Sequence, residues 1–484
     1  MILVQLNKED FSYDIHSLVK AFFPSENVSV CAVPKKLPEP VSIQIDVTYH
    51  PDSIELVMTE KTVRETDRLC FAADYADRRN TKNLLKQNLY KMLSAYTKKT
   101  LPWGTLTGVR PVKIPLTMLR QGEDAASITA YMKDTYGTSE NKINLSIQIA
   151  QRELKLLERL DYEKGYSLYI GIPFCPSTCL YCSFTSYPLS AWKDRIDSYL
   201  DALEKEIEYT ARQFAARPLN CIYIGGGTPT TLLPHQLDRL LTALERSFDF
   251  SSLLEFSAEA GRPDSIDREK LETLRAHGVS RISVNPQTMK QETLELIGRK
   301  HTVEQTVESF YLARSLGFDN INMDLIMGLP QETLDDVRNT MNEIRVLAPD
   351  SVTVHSLALK RAARLQMQKE DYAGLKIVNT QEHLDTAADA CARMGMSPYY
   401  LYRQKNMAGN FENTGYAKEG KAGIYNILIM EEVQTIAALG AGSISKRVYP
   451  DGNVKRCENV KDVALYIQKI DEMIERKRKL FADF

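Results

Sequence analysis

Tryptophan is almost missing from this 484-residue chain, with 2 copies, and cysteine is sparse, with 8. So few cysteines in so long a chain exclude a disulfide scaffold, which is short and cysteine-dense. No apolar run approaches the roughly 20 residues that cross a bilayer, so no membrane span is expected. The opening Met-Ile-Leu-Val-Gln-Leu-Asn-Lys is too short an apolar stretch for a secretory signal and has no basic lead. Lys and Arg number 61 against 63 Asp and Glu, and a net charge of −2 gives nucleic acid no bulk attraction. Neither an internal repeat nor a low-complexity tract is present. What remains, 43% hydrophobic and 26% charged, is ordinary globular composition with length for two or three domains. Free thiols favour a reducing compartment, so a cytoplasmic protein is expected.

Three of the cysteines are not scattered. Cys175, Cys179 and Cys182 stand in the run Cys-Pro-Ser-Thr-Cys-Leu-Tyr-Cys, while Cys31, Cys70, Cys221, Cys391 and Cys457 occur singly. A structural zinc site calls for four ligands, usually in C-x2-C pairs, and no second pair exists. Three thiolates suit a cubane [4Fe–4S] cluster that leaves one iron open to a chelating small molecule. The C-x3-C-x2-C spacing resembles that of radical S-adenosylmethionine (SAM) enzymes, in which the SAM amine and carboxylate take the open iron. The cofactors so implied are a [4Fe–4S] cluster and SAM.

Around this loop, from about Tyr166 to Leu359, short β-rich runs alternate with amphipathic helical patterns. Strands are predicted at Ser167–Ile172, Cys221–Ile224, Leu254–Glu259, Arg281–Asn285, Asn320–Ile326 and Ser351–Leu357. Between them, Ile196, Leu200, Leu203 and Ile207 recur at helical spacing, and Thr302 with Gln305 forms a capping box closed off by Gly317. Strand–helix alternation implies right-handed βαβ units, hence an α/β fold: a partial (β/α)6 barrel with its site at the C-terminal strand ends. Residues 1–150 read as an N-terminal α+β extension, with strands at Val28–Val33, Val41–Thr48 and Ser53–Met58 and a helix near Asn80–Tyr96. Residues 151–360 form the barrel, entered through a helix around Ser146–Leu160. Residues 361–484 read as a mostly helical C-terminal domain, with helices at Gln381–Met394 and Val460–Arg478.

Each strand end beyond the cysteine loop carries something polar or glycine-rich. Gly225, Gly226 and Gly227 in Tyr-Ile-Gly-Gly-Gly-Thr-Pro-Thr let backbone approach a ligand closely, though a plain tight turn needs glycine too. Glu259 could hold an ammonium group, or be a solvated strand-end charge. Asp324 lies in an apolar run where an unpaired charge is costly, so a partner is expected; a carboxylate there suits a ribose diol. Gln287 ends the strand between them. Arg299 offers a planar fork for a carboxylate, or is a helix-end surface residue.

Taken in order, Tyr-Ile-Gly-Ile-Pro-Phe-Cys-Pro-Ser-Thr-Cys-Leu-Tyr-Cys, Gly-Gly-Gly-Thr-Pro, Arg-Ile-Ser-Val-Asn-Pro-Gln and Asp-Leu-Ile-Met-Gly-Leu-Pro resemble the oxygen-independent coproporphyrinogen III oxidases, a group that includes the HemN, HemW and HemZ types. The likeness covers about residues 165 to 450. The long N-terminal extension, Cys-Ser-Phe-Thr-Ser-Tyr-Pro and the Tyr402–Asn410 segment look most like the HemZ type. The resemblance implies that Cys175, Cys179 and Cys182 hold the cluster and that Tyr169, Gly226, Thr228, Glu259, Gln287, Arg299 and Asp324 bind SAM. It assigns no catalytic side chain beyond these. The implied reaction is reductive cleavage of SAM to a 5′-deoxyadenosyl radical, which takes a hydrogen from a propionate β-carbon. Loss of CO2 and one electron leaves a vinyl group, and two such events yield protoporphyrinogen IX in haem and porphyrin biosynthesis. A low-potential electron donor of the flavodoxin or ferredoxin class is implied as partner, beside the tetrapyrrole substrate.

Two positions depart from the best characterised oxidases: Phe184 stands where they have a further cysteine, and Gly171 where they have a histidine. Phe184 matches the HemW type, yet Tyr425-Asn426 replaces the His-Asn and Tyr-Trp stretch of those haem chaperones. Two other readings therefore stand beside the oxidase: a haem-binding chaperone, and another radical SAM reaction on a tetrapyrrole, such as anaerobic haem methylation with ring opening. Propionates call for cations; Lys360, Arg361, Arg403 and Lys405 are the substrate candidates, with Arg364 close by. Each is equally read as part of a solvated basic face. His355 reads as a core histidine near a strand end, and Tyr399, Tyr400 and Tyr402 could flank a macrocycle or fill a core.

Overall fold

A computed structural model describes residues 1–32, 40–60, 66–184, 186–358, 363–367, 374–404 and 407–484. They form two compact units, Met1–Ala150 with Arg403–Phe411, and Gln151–Tyr402 with Glu412–Phe484.

The first unit is built on a five-stranded mixed sheet in the order Val28–Cys31, Ile2–Leu6, Ile43–Tyr49, Ser53–Glu60, Asp67–Ala72. Alternation decides its faces: Ile43, Ile45, Val47 and Tyr49 are buried, and the residues between them are half-buried. Helices Ser12–Phe22 and Arg78–Thr97 contribute Ile15, Leu18, Leu85 and Leu89 to the core on that sheet. Ile2–Leu6 and Asp67–Ala72 go beyond the expected strands. Ile2–Leu6 pairs in parallel with both Val28–Cys31 and Ile43–Tyr49, long-range contacts that no local pattern announces.

The second unit holds an eleven-stranded sheet. Its centre is six parallel strands in chain order, Tyr166–Ile172, Leu219–Gly226, Glu255–Glu259, Arg281–Ser283, Ile321–Met327 and Ser351–Ser356. Strands covered on both faces become continuous apolar runs, and in Ile321–Met327 Asp324 alone is part-exposed. Thr302 caps its helix as expected, its hydroxyl accepting from Gln305 N at 3.2 Å while Gln305 Oε1 accepts from Thr302 N at 3.0 Å. This is the expected partial α/β barrel; among the described residues the ladder does not return on itself.

The sheet continues past position 360. Thr435–Leu439 runs parallel to the first barrel strand, and Ile444–Val448 and Val454–Glu458 follow antiparallel. Asn413–Ala417 and Ser397–Tyr402 extend the other edge. Residues 361–484 thus supply strands as well as the helices Gln381–Arg393, Ile424–Glu431, Val463–Gln468 and Ile470–Leu480. The helix expected over Val460–Arg478 is two helices, separated at Lys469. Among the described residues, no helix is long and apolar enough to cross a membrane.

Candidate active site

The first barrel strand delivers the cysteine loop, and neighbouring turns hold it. Phe174–Cys175 pairs with Tyr187–Pro188, closing the segment between them. Cys182 N donates to Cys179 O at 3.2 Å, Leu180 N to Ile297 O at 2.9 Å, and Ser177 Oγ to Gly298 O at 3.0 Å. None of the three thiols is in a disulfide. Burial pushes the Cys182 thiol up to about 11, with Cys179 and Cys175 adding to the rise. Burial also raises Cys175, opposed by the Thr228 hydroxyl, whose Oγ1 lies 3.5 Å from Cys175 Sγ. Three thiols on one loop, with donors at the sulfurs of Cys175 and Cys179, suit an anionic iron–sulfur cluster in their chemistry, and loading must displace their protons. Among the described residues no three Cys, His, Asp or Glu side chains are already arranged to hold a metal ion.

Two buried guanidiniums stand at the middle cysteine. Arg262 Nη1 is 3.6 Å from Cys179 Sγ and 3.2 Å from Ser177 O, and Nη2 donates to Ser177 Oγ at 3.1 Å. Asp264 holds the other edge of that fork, at 2.9 and 2.8 Å. Arg299 donates through Nη1 to Asn285 O at 2.5 Å and Gly261 O at 3.4 Å, and through Nη2 to Tyr181 Oη at 3.4 Å. Burial opposes the charge of Arg299, while Tyr181 and Cys179 stabilise it and leave its pKa above the ordinary arginine value. Arg299 is therefore an interior residue, not a helix-end surface one. Arg262 went unsuspected because nothing in Ala-Gly-Arg-Pro-Asp announces a contact 83 residues away.

Arg262→Met should leave Asp264 without its two guanidinium hydrogen bonds and the loop loose. Outer-shell losses typically weaken metal retention about 10–100-fold, so iron per chain after anaerobic reconstitution and desalting should fall well below wild type. Arg262→Lys should recover part of it. Undiminished iron in both variants would remove the role.

The glycine run packs backbone on backbone. A Cβ on Gly227 would come within 2.6 Å of Phe174 O, and Gly227 N and Thr228 N donate to Ile172 O and Phe174 O at 2.8 and 2.7 Å. Gly226 has φ +107°, which favours glycine. At least part of the run therefore serves approach to the cysteine loop. Gln287 adopts φ +68°, uncommon without glycine, and ties the fourth strand end to the fifth: Gln287 N donates to Asp324 O, and Ile326 N to Gln287 O, both at 2.9 Å.

Glu259, Asp324 and His355 form one electrostatic group across the third, fifth and sixth strand ends. Tyr223 Oη donates to Glu259 Oε1. Burial pushes the Glu259 carboxyl up to about 7, with Asp324 adding to the rise and Tyr223, the Gly226 N–H and His355 opposing it. The partner expected for Asp324 is present: Asn322 Nδ2 donates to it at 2.7 Å, and His355 Nε2 lies 3.7 Å from Oδ2. Burial alone would raise Asp324, but His355, Asn322 and Thr353 outweigh it and hold the carboxyl below the ordinary range. His355 is thus part of the strand-end group rather than a plain core histidine. Tyr169, Tyr223 and Tyr425 stack beside it, with ring centroids 4.7–6.4 Å apart.

The departures also have places. Gly171 accepts a hydrogen bond from Tyr199 Oη at 2.5 Å, and a Cβ there would sit 3.2 Å from Leu439 O. Phe184 is exposed. Lys360, Arg361 and Lys405 lie outside the described residues. Arg403 belongs to the first unit, where its guanidinium donates to Leu106 O and to Asn410 O and Oδ1. Tyr399 and Tyr400 are buried side chains of the second unit's core.

The radical SAM superfamily profile matches residues 169–344. The chain is 39% identical over 428 residues to the oxygen-independent coproporphyrinogen-III oxidase-like protein HemZ of Bacillus subtilis, covering 86% of this chain and 85% of that protein. It is 40% identical over 195 residues to the heme chaperone HemW of the same organism, covering 40% of this chain and 51% of that one. Among solved structures, coproporphyrinogen III oxidase (HemN) from Escherichia coli, titled a radical SAM enzyme, aligns with TM-score 0.53 and 26% identity, over 67% of this chain and 73% of that chain.

Proposed function

The chain belongs to the radical SAM proteins of the oxygen-independent coproporphyrinogen III oxidase-like group, and from that premise we propose that it oxidatively decarboxylates coproporphyrinogen III propionates to vinyl groups. The observation that carries this reading is the convergence of Arg262 and Arg299 on Cys179 of the three-thiol loop, in a barrel whose third and fifth strands carry the coupled Glu259 and Asp324. Cys175, Cys179 and Cys182 would hold the [4Fe–4S] cluster, with Tyr169, Gly226, Thr228, Glu259, Gln287, Arg299 and Asp324 binding SAM. When bound, cluster and SAM would supply one-electron radical chemistry for removing hydrogen at the propionate β-carbon.

The protein's part is to bind and orient. Glu259 presents a carboxylate suited to the SAM ammonium, aimed by Tyr223. Asp324, kept ionised by its donors, suits the ribose diol. Tyr223 and Tyr425, with Tyr169, wall the site and exclude water. A low-potential flavodoxin or ferredoxin would supply electrons, in the cytoplasm. Anaerobic turnover with SAM, a low-potential reductant and coproporphyrinogen III tests the reading: vinyl products should form together with 5′-deoxyadenosine. Deoxyadenosine without vinyl product would refute this substrate. The likeness to a heme chaperone, and Phe184, support a second reading in which the chain carries haem; stoichiometric haem binding without turnover would favour it.

The Glu259 carboxyl makes SAM binding pH-dependent. Below about 7 it is increasingly protonated and cannot pair with an ammonium. The SAM dissociation constant should therefore rise as pH falls from 8 to 6, approaching about tenfold per unit at the acid end. Glu259→Gln should bind weakly and flatten the profile; an unchanged slope in that variant would place the titrating group elsewhere.

A further inference from the structure

The first unit contains none of the proposed cluster or SAM residues, yet it contains a charged cavity. Arg79, Lys82, Asn83 and Lys86 share one side of the Arg78–Thr97 helix through their i, i+3, i+4 and i+7 spacing. They line a cavity of about 300 Å³ with Asp14, Thr107, Tyr136 and Arg403. Four of these lining residues are cations and one is a carboxylate, a local excess of three positive charges.

The cations are placed by the fold. Lys86 is buried; its Nζ lies 3.2 Å from Thr107 Oγ1 and 3.8 Å from Asp14 Oδ1, longer than a good charge-assisted hydrogen bond. Burial brings its ammonium down to about 8, opposed by Asp14 and reinforced by Lys82 and Arg403, so the site's own field disfavours the charge it holds. Arg403 is 4% exposed and is held in place by Leu106 and Asn410, with its guanidinium 5.8 Å from the Trp103 ring centroid. Arg79 Nη2 donates to Tyr131 Oη at 2.9 Å. A buried ammonium without a close counter-ion is costly, and an anion in the cavity would relieve that cost.

Size narrows the class. About 300 Å³ is the lower end of small-molecule pockets and about ten times a water's share of liquid volume. A bare phosphate would leave most of it unfilled, whereas a monoester of mononucleotide size would not. We propose that this cavity is a binding site for a small phosphate ester, Lys82 and Lys86 meeting the phosphate while Arg79 and Arg403 supply fixed positive charge. The proposal does not depend on the reaction assigned to the barrel.

The test is isothermal titration of the full-length protein with AMP, inorganic phosphate and citrate at about 0.15 M salt, where exposed charges are largely screened. AMP should bind saturably at one site and more tightly than phosphate. Lys82→Glu should weaken it by about tenfold or more with an unchanged melting temperature. Lys86→Met should do the same, with Lys86→Arg recovering part of the affinity. Tighter binding of citrate than of AMP would overturn the phosphate-ester assignment. Absence of saturable binding by any of the three, or unaltered AMP affinity in Lys82→Glu, would overturn the site.

Discussion

Cys179→Ala should give a folded chain that retains essentially no [4Fe–4S] cluster after anaerobic reconstitution. It should form 5′-deoxyadenosine more than about a thousandfold more slowly than wild type, the equivalent of roughly 4 kcal/mol of barrier. As proposed, the loop would offer one thiolate per iron to three of four irons, so losing one would leave two irons without protein ligands. Cys179 is also the cysteine that Arg262 approaches and whose charge Arg299 feels. Removing it takes away the point on which both cations converge. Iron per chain, the visible cluster absorbance and deoxyadenosine by mass spectrometry are the readouts, with far-UV dichroism confirming the fold. A variant that kept a full cluster and wild-type SAM cleavage would refute the assignment of these cysteines.

The second large effect concerns stability. Lys477→Met should lower stability by about 3–5 kcal/mol, the usual consequence of stranding one partner of a buried ion pair. Lys477 Nζ donates to Glu206 Oε1 at 2.5 Å and to Asn459 Oδ1 at 2.7 Å, with side chains 1% and 0% exposed for Lys477 and Glu206. The same carboxylate accepts from Asn459 Nδ2 at 2.8 Å, Gly440 N at 2.8 Å and Tyr466 Oη at 2.6 Å. It thus ties the last helix and the Gly440 turn to the Ile196–Phe214 helix. That turn lies on the first barrel strand, since a Cβ on Gly440, at φ +96°, would come within 2.4 Å of Gly171 O. Adding Glu206→Gln to Lys477→Met should recover part of the loss, because the amide removes the stranded charge while its oxygen can still accept from the Asn459, Gly440 and Tyr466 donors. Urea unfolding measures both. A single-variant loss below about 1 kcal/mol would show that the carboxylate finds other compensation.

Local pattern carried the three cysteines of one loop and the order of the six central strands. Cysteine spacing sets which thiols share a loop, and buried parallel strands write themselves as short apolar runs between helical ones. Asp324 was legible as a charge needing a partner, because it interrupts such a run. What sequence left open are contacts between residues far apart in the chain, where neither partner alters its own neighbourhood. Tyr223 reads as one more strand tyrosine until Glu259 folds beside it. Arg262 reads as a loop cation until the cysteine loop docks against it. Glu206 reads as one more helix acid until Lys477, 271 residues later, is buried on it. Thr435–Leu439 becomes the first strand's parallel neighbour only through pairing across hundreds of residues. The sequence by itself thus determined the radical SAM loop and the barrel that presents it. Tertiary structure alone decided which side chains hold that loop, aim its carboxylates and secure the C-terminal strands, because long-range packing and desolvation act on neighbours in space and leave no period in the chain.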